Sequence, residues 1–137
     1  GCSSLESILI PNAVEILSGA FADCTSLNTI GLTNTLRFLG DYAFYNCYNL
    51  EYIINDFGQT IAKIPPGVTI VYDGTFYNCQ SLKTIEFLGQ VTKIGKDAFY
   101  NCSSLSDIYY YGTKSQWNSI EISTGNNDLL YANIHCQ

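Results

Sequence analysis

Four copies of one ten-residue string, Phe-x-x-Cys-x-x-Leu-x-x-Ile, begin at Phe21, Phe44, Phe76 and Phe99. From Cys24 to Cys47 is 23 residues, from Cys47 to Cys79 is 32 and from Cys79 to Cys102 is again 23, while Cys2 lies 22 before Cys24. One period therefore organises most of the chain, which must fold as an array of similar units. A single such unit has too little apolar surface to fold alone. Stacked units share one core, with strands about 4.8 Å apart that satisfy each other's backbone groups.

The full frame reads Cys-x-x-Leu-x-x-Ile-x-(Ile/Leu)-(Pro)-x-x-Val-x-x-Ile-Gly-x-x-Ala-Phe and is clearest between Cys79 and Phe99. There Ile85-Glu86-Phe87 alternates apolar and polar residues, the period-2 signal of a half-buried strand, and Val91, Ile94 and Phe99 turn inward around Gly95. The expected buried columns are Leu5, Leu27, Leu50, Leu82 and Leu105; Ile8, Ile30, Ile53, Ile85 and Ile108; Phe21, Phe44, Phe76 and Phe99; and Ala20, Ala43 and Ala98, with Thr75 standing in. Cys2, Cys24, Cys47, Cys79 and Cys102 form one more column, expected to be a structural ladder of free thiols. Side chains of a column point the same way at the rung spacing, whereas a disulfide needs Cβ atoms about 3.8 Å apart. Cys136 stands outside that column, free or paired. No Cys-x-x-Cys or Cys/His cluster suggests a metal, because a ladder presents its ligands in line and not as a tetrahedron.

A period near 23 lies within the leucine-rich-repeat range of roughly 20–29 residues. The copies of Ala-Phe-x-x-Cys-x-x-Leu-x-x-Ile at Ala20-Phe21, Ala43-Phe44 and Ala98-Phe99, with Ile10-Pro11, Ile64-Pro65 and Ile94-Gly95, resemble the BspA-like, treponemal-type leucine-rich repeat of bacterial surface proteins. The resemblance implies an α/β repeat solenoid: a right-handed coil with a short-stranded parallel sheet, small helical or 3-10 turns and a C-terminal cap. About five repeats would fill residues 1–108 and a capping segment residues 109–137. It also implies a secreted or wall-attached module for adhesion or protein binding, with no catalytic residues to carry over.

Two regions depart from the frame. About nine extra residues fall within 55–63, before Ile64-Pro65, and are expected to form a loop, with Phe57 and Ile61 either customising binding or folding back as a flap. The tail from Tyr110 to His135 is expected to close the array. Ser115 would cap a helix, Trp117 would fold over the last layer, and short strands would follow at 120–122 and 132–134. The opening segment, Gly1 to Ile10, has no such cover, so end-to-end self-association through this uncapped rung is expected.

Composition narrows the function. A net charge of −6 with six basic residues argues against nucleic acid or an anionic membrane as partner, since both are held chiefly by Lys and Arg. No run approaches the roughly 20 apolar residues needed to insert in a membrane. The absence of methionine and the opening in mid-repeat read as a piece of a longer extracellular or cell-surface protein, with Gly1 a cloning remnant and any signal or anchor outside the fragment. Enzymatic function is not expected, nor a cofactor. The single histidine, His135, neighbours Cys136 on a strand, where adjacent side chains face opposite ways.

Function is then expected on the outward strand face, at the residues that break the repeat. These are Tyr52, Ile54, Phe57, Glu86, Asp107 and Tyr109, as contacts for an extracellular protein or glycan. One contiguous patch of exposed aromatics would favour binding, whereas scattered, polar-flanked ones would favour a passive spacer that displays a neighbouring domain. A second row, Tyr45, Tyr77 and Tyr100, precedes Asn46, Asn78 and Asn101 and recurs regularly, which reads as structure: the asparagines take the turn conformation and the tyrosines shield the phenylalanine column.

Overall fold

The computed structural model describes residues 1–55 and 61–137. Its elements in chain order are β1 (Ser7–Ile10), β2 (Glu15–Ile16), β3 (Thr29–Leu32), β4 (Phe38–Leu39), β5 (Tyr52–Ile54), β6 (Ala62–Ile64), β7 (Ile70–Val71), β8 (Thr84–Phe87), β9 (Lys93–Ile94), β10 (Asp107–Tyr110), α1 (Lys114–Asn118), β11 (Glu121–Ile122), α2 (Asn127–Tyr131) and β12 (Asn133–Cys136). The chain is a parallel β-solenoid. One wall is a seven-stranded sheet ordered β1-β3-β5-β6-β8-β10-β12, and a second wall holds the short ladders β11-β9-β7 and β2-β4. Parallel strands need a crossover, and each repeat supplies one. Its Phe-x-x-Cys-x-x-Leu segment winds as i→i+3 turns, such as Cys79 N–H to the Phe76 carbonyl (3.1 Å) and Leu82 N–H to the Cys79 carbonyl (3.3 Å).

The register places like on like. Ile8, Ile30, Ile53, Ala62, Ile85, Ile108 and Ile134 form one inward row across the sheet. Phe21, Phe44, Phe76 and Phe99 stack at 5.7, 5.5 and 5.2 Å with nearly parallel rings. In the interior rungs these columns are wholly buried. Thr75 is buried where its counterparts are alanine, and its hydroxyl donates to the Tyr72 carbonyl at 2.8 Å, which satisfies the polar group that burial would otherwise penalise.

The first rung departs from the columns. Leu5, Ile8 and Phe21 are only half-buried, and Ala20 and Cys2 are exposed. Cys2 is thus no member of the buried thiol ladder, although its N–H donates to Cys24 Sγ at 3.4 Å.

Segment 55–63 is not loop throughout. Ala62 and Lys63 belong to β6, a strand of the main sheet between β5 and β8. The small Ala62 fills the place that isoleucine takes in other rungs. The expectations for Phe57 fall outside the described residues.

Nor does the tail lie over the end of the stack. It adds a further turn: β11 extends the second wall beside β9, and β12 extends the main sheet beside β10. The cap of α1 is Thr113 and not Ser115, in a capping box with Gln116 (Thr113 Oγ1 accepts from the Gln116 N–H at 3.1 Å). Trp117 is buried against Phe87 and Tyr110, with ring centroids 6.3 and 5.4 Å away.

Candidate functional site

Strand alternation sends Ser7, Thr29, Tyr52, Thr84, Asp107 and Asn133 outward in one row and Leu9, Gly31, Ile54, Lys63, Glu86, Tyr109 and His135 in the next. At the β1 end the face is apolar. Leu9 lies over Gly31, where an added Cβ would meet its Cδ1, and Ile54 follows in the same row. Lys63 and Glu86 pair across β6 and β8 at 3.7 Å, and Lys83 reaches Glu51 at 3.6 Å. Hydrogen bonding to that Glu51 carboxylate holds the Tyr52 phenol above its ordinary pKa.

At the β12 end the face becomes an aromatic and polar cluster. Tyr109 and His135 stack at 4.4 Å and 13°, and His135 Nε2 lies 2.9 Å from Asp107 Oδ1. Ser106 Oγ donates to the other Asp107 oxygen at 2.9 Å. Hydrogen bonds from His135 and then Ser106 hold the Asp107 carboxyl below the usual carboxylate value.

The six residues expected as contacts thus divide. Asp107 and Tyr109 meet in this cluster, with Glu86 beside Tyr109 in register. Tyr52 and Ile54 lie three strand spacings away, about 14 Å, beyond the Lys63–Glu86 pair, so the exposed aromatics do not form one contiguous patch. Phe57 is outside the described residues. Sequence reasoning left His135 out of the face, although its signal was present. Ile134 continues the isoleucine row, and the next residue must therefore stand beside Tyr109.

Cys136 turns inward against the core while His135 faces out. Among the described residues no group of three His, Cys, Asp or Glu side chains could hold a metal, and no helix is long and apolar enough to cross a membrane. The interior thiols are protonated fillers. Cys47, Cys79 and Cys102 donate to the carbonyls of Phe21, Phe44 and Phe76 at 3.1, 3.3 and 3.2 Å, and burial pushes the Cys47 thiol up to about 12 and those of Cys79 and Cys102 up as well.

On the turn side run two further ladders. Tyr45, Tyr77 and Tyr100 stack at 5.0 and 4.6 Å. Beside them Asn46 donates to Asp23, Asn78 to Asn46 and Asn101 to Asn78, at 2.8–2.9 Å. All three asparagines have positive φ, 54–61°, the left-handed conformation that asparagine tolerates better than most residues.

Comparisons with known proteins agree with this architecture. A search of curated proteins finds no match. Among solved structures the chain is similar to a leucine-rich repeat protein of T. pallidum (28% identity, TM-score 0.69, covering 85% of this chain and 50% of that one). It is similar to a leucine-rich cell surface protein of Faecalibacterium prausnitzii A2-165 (32%, 0.63, 88% and 36%). A leucine-rich repeat protein of Bacteroides ovatus ATCC 8483 is also similar (26%, 0.64, 88% and 34%). The chain spans between a third and a half of the length of these proteins. The model of the BspA-type leucine-rich repeat region matches in six copies over residues 1–110 and 55–127, and the chain belongs to that family.

Proposed function

We propose that this chain is a non-catalytic, protein-binding module of a secreted or cell-surface bacterial protein, serving adhesion to a host surface. The observation that carries the reading is the Asp107–Tyr109–His135 cluster. Tyr109 is 43% exposed, its ring is fixed by the stack with His135, and it stands on β10, one strand in from β12. Amphipathic aromatics held in place are the side chains that anchor protein interfaces. The likeness to a cell surface protein of F. prausnitzii supports the location. The test is a binding screen of the purified chain against host matrix proteins, beside a folded Tyr109→Ala/His135→Ala variant. Saturable binding lost in the variant is expected, and no binding by either protein would overturn the reading.

The division of the aromatics into two groups separated by an ion pair favours a second reading, a spacer that displays a neighbouring domain. Self-association belongs to the same proposal. Among the described residues β1 and β12 each pair on one side only, and Leu9 (58%) and Leu17 (63%) are exposed beside the β1 end, so one copy can extend another end to end.

A further inference from the structure

The tyrosine stack, the asparagine ladder and the backbone ladder beside them all stop at the same place. Asn46 and Asn78 donate their N–H groups to the carbonyls of Tyr77 and Tyr100 (2.9 and 2.8 Å). Among the described residues the Asn101 N–H has no acceptor and its side-chain oxygen no donor. Tyr77 covers one face of Tyr100 at 4.6 Å, but among the described residues no ring covers the other, because the next turn carries α2 where earlier turns carry Tyr-Asn. Tyr100 is accordingly 45% exposed. A cavity of about 270 Å³ opens here, lined by Tyr100, Asn101, Gly125, Asn127 and Asp128. Gly125 has φ +87°, and a Cβ there would run into the Asp97 carboxylate, so this wall is closed to any larger residue.

We propose that this cavity is a saccharide-binding site for a single neutral pyranose ring. It combines a flat apolar surface with a backbone donor, two amides and a carboxylate. A pyranose offers the complement, a face of C–H groups bounded by hydroxyls that both donate and accept. The volume lies just under the range of about 300–1,000 Å³ that holds drug-sized ligands, which suits one ring. Asp97 and Asp128 favour a neutral sugar over a uronate or sialate by like-charge repulsion. The site is remote in register from the sheet face and independent of the function proposed for it.

The test is an NMR titration of the ¹⁵N-labelled chain with methyl glucoside, methyl galactoside and methyl N-acetylglucosaminide, and with glucuronate as the anionic probe. Saturable shifts centred on the amides of Asn101, Gly125, Asn127 and Asp128 are expected for at least one glycoside, with millimolar affinity. Tyr100→Ala should weaken binding about five- to tenfold. Tyr100→Leu, which keeps apolar bulk without the flat ring, should do the same, and Tyr111→Ala, at an exposed tyrosine outside the cavity, should change nothing. The proposal is overturned if no glycoside moves these amides, if both Tyr100 variants bind as the parent does, or if glucuronate binds as well as the glycosides.

Discussion

His135 lies flat against Tyr109, ring centroids 4.4 Å apart, and this stack locks the edge strand β12 to β10 on the outward face as the isoleucine row locks it within. The same imidazole reaches Asp107, so one side chain orders both contacts of the cluster. Asp107 is held below the usual carboxylate value chiefly by that bond. In His135→Ala its pKa, followed by carboxyl NMR, should rise toward the ordinary value. Because the folded carboxyl binds its proton less tightly than the unfolded one, its contribution is present above the usual carboxylate range and lost as pH falls through the lowered value. An unchanged Asp107 titration in the variant would remove His135 from this role.

The thiols divide by depth. Cys24, Cys47, Cys79 and Cys102 are buried, whereas Cys2 is exposed and Cys136 half-buried. A chromogenic disulfide reagent at neutral pH should therefore label Cys2 and Cys136 in the native chain and all six after denaturation. Cys47, Cys79 and Cys102 hold their protons more tightly than unfolded thiols, so the sign of the pH effect is fixed. Their contribution is complete below the ordinary thiol value of 9.0 and is lost as pH rises from there toward about 12. Melting temperature should fall across that window, and less steeply in Cys79→Ala than in the parent.

Column position should set the cost of truncation. Phe76 is fully buried between Phe44 and Phe99, so Phe76→Ala should cost about 3–5 kcal/mol in urea unfolding, since rungs on both sides resist closing the gap. Phe21 has a ring on one side only and should cost clearly less. Equal losses would mean that the stack does not behave as a column.

The asparagine ladder offers a test that separates backbone from side chain. Asn78, at φ +61°, donates to Asn46 and accepts from Asn101. Asn78→Ala gives up both bonds and adds left-handed strain of about 1–2 kcal/mol, whereas Asn78→Gly gives up the bonds alone. Thermal unfolding should rank parent, glycine variant, alanine variant in descending stability.

If the ends of the sheet associate, sedimentation at rising concentration should show mass growing beyond 15.2 kDa, and Leu17→Lys should suppress it. A single monomeric species throughout would count against end-to-end contact.

The repeat columns and the left-handed asparagines were legible in the sequence because each recurs at a fixed period. A lone departure carries no such signal. Ala62 reads as part of an inserted loop until its neighbours Ile53 and Ile85 are seen to need a strand between them. His135 reads as an isolated histidine until the register of β12 sets it on Tyr109.

What the sequence determined alone is the local and periodic part: which residues turn inward, and that units stack. Those choices follow from hydrophobic spacing and backbone preference within one turn of the coil. What only the tertiary structure decided is everything that depends on an unlike neighbour. The extra strand at Ala62, the tail as a further turn, the split of Tyr52 from Tyr109 and the open face of Tyr100 all arise where one turn meets another unlike it. Burial is a property of the pair of turns and not of either one.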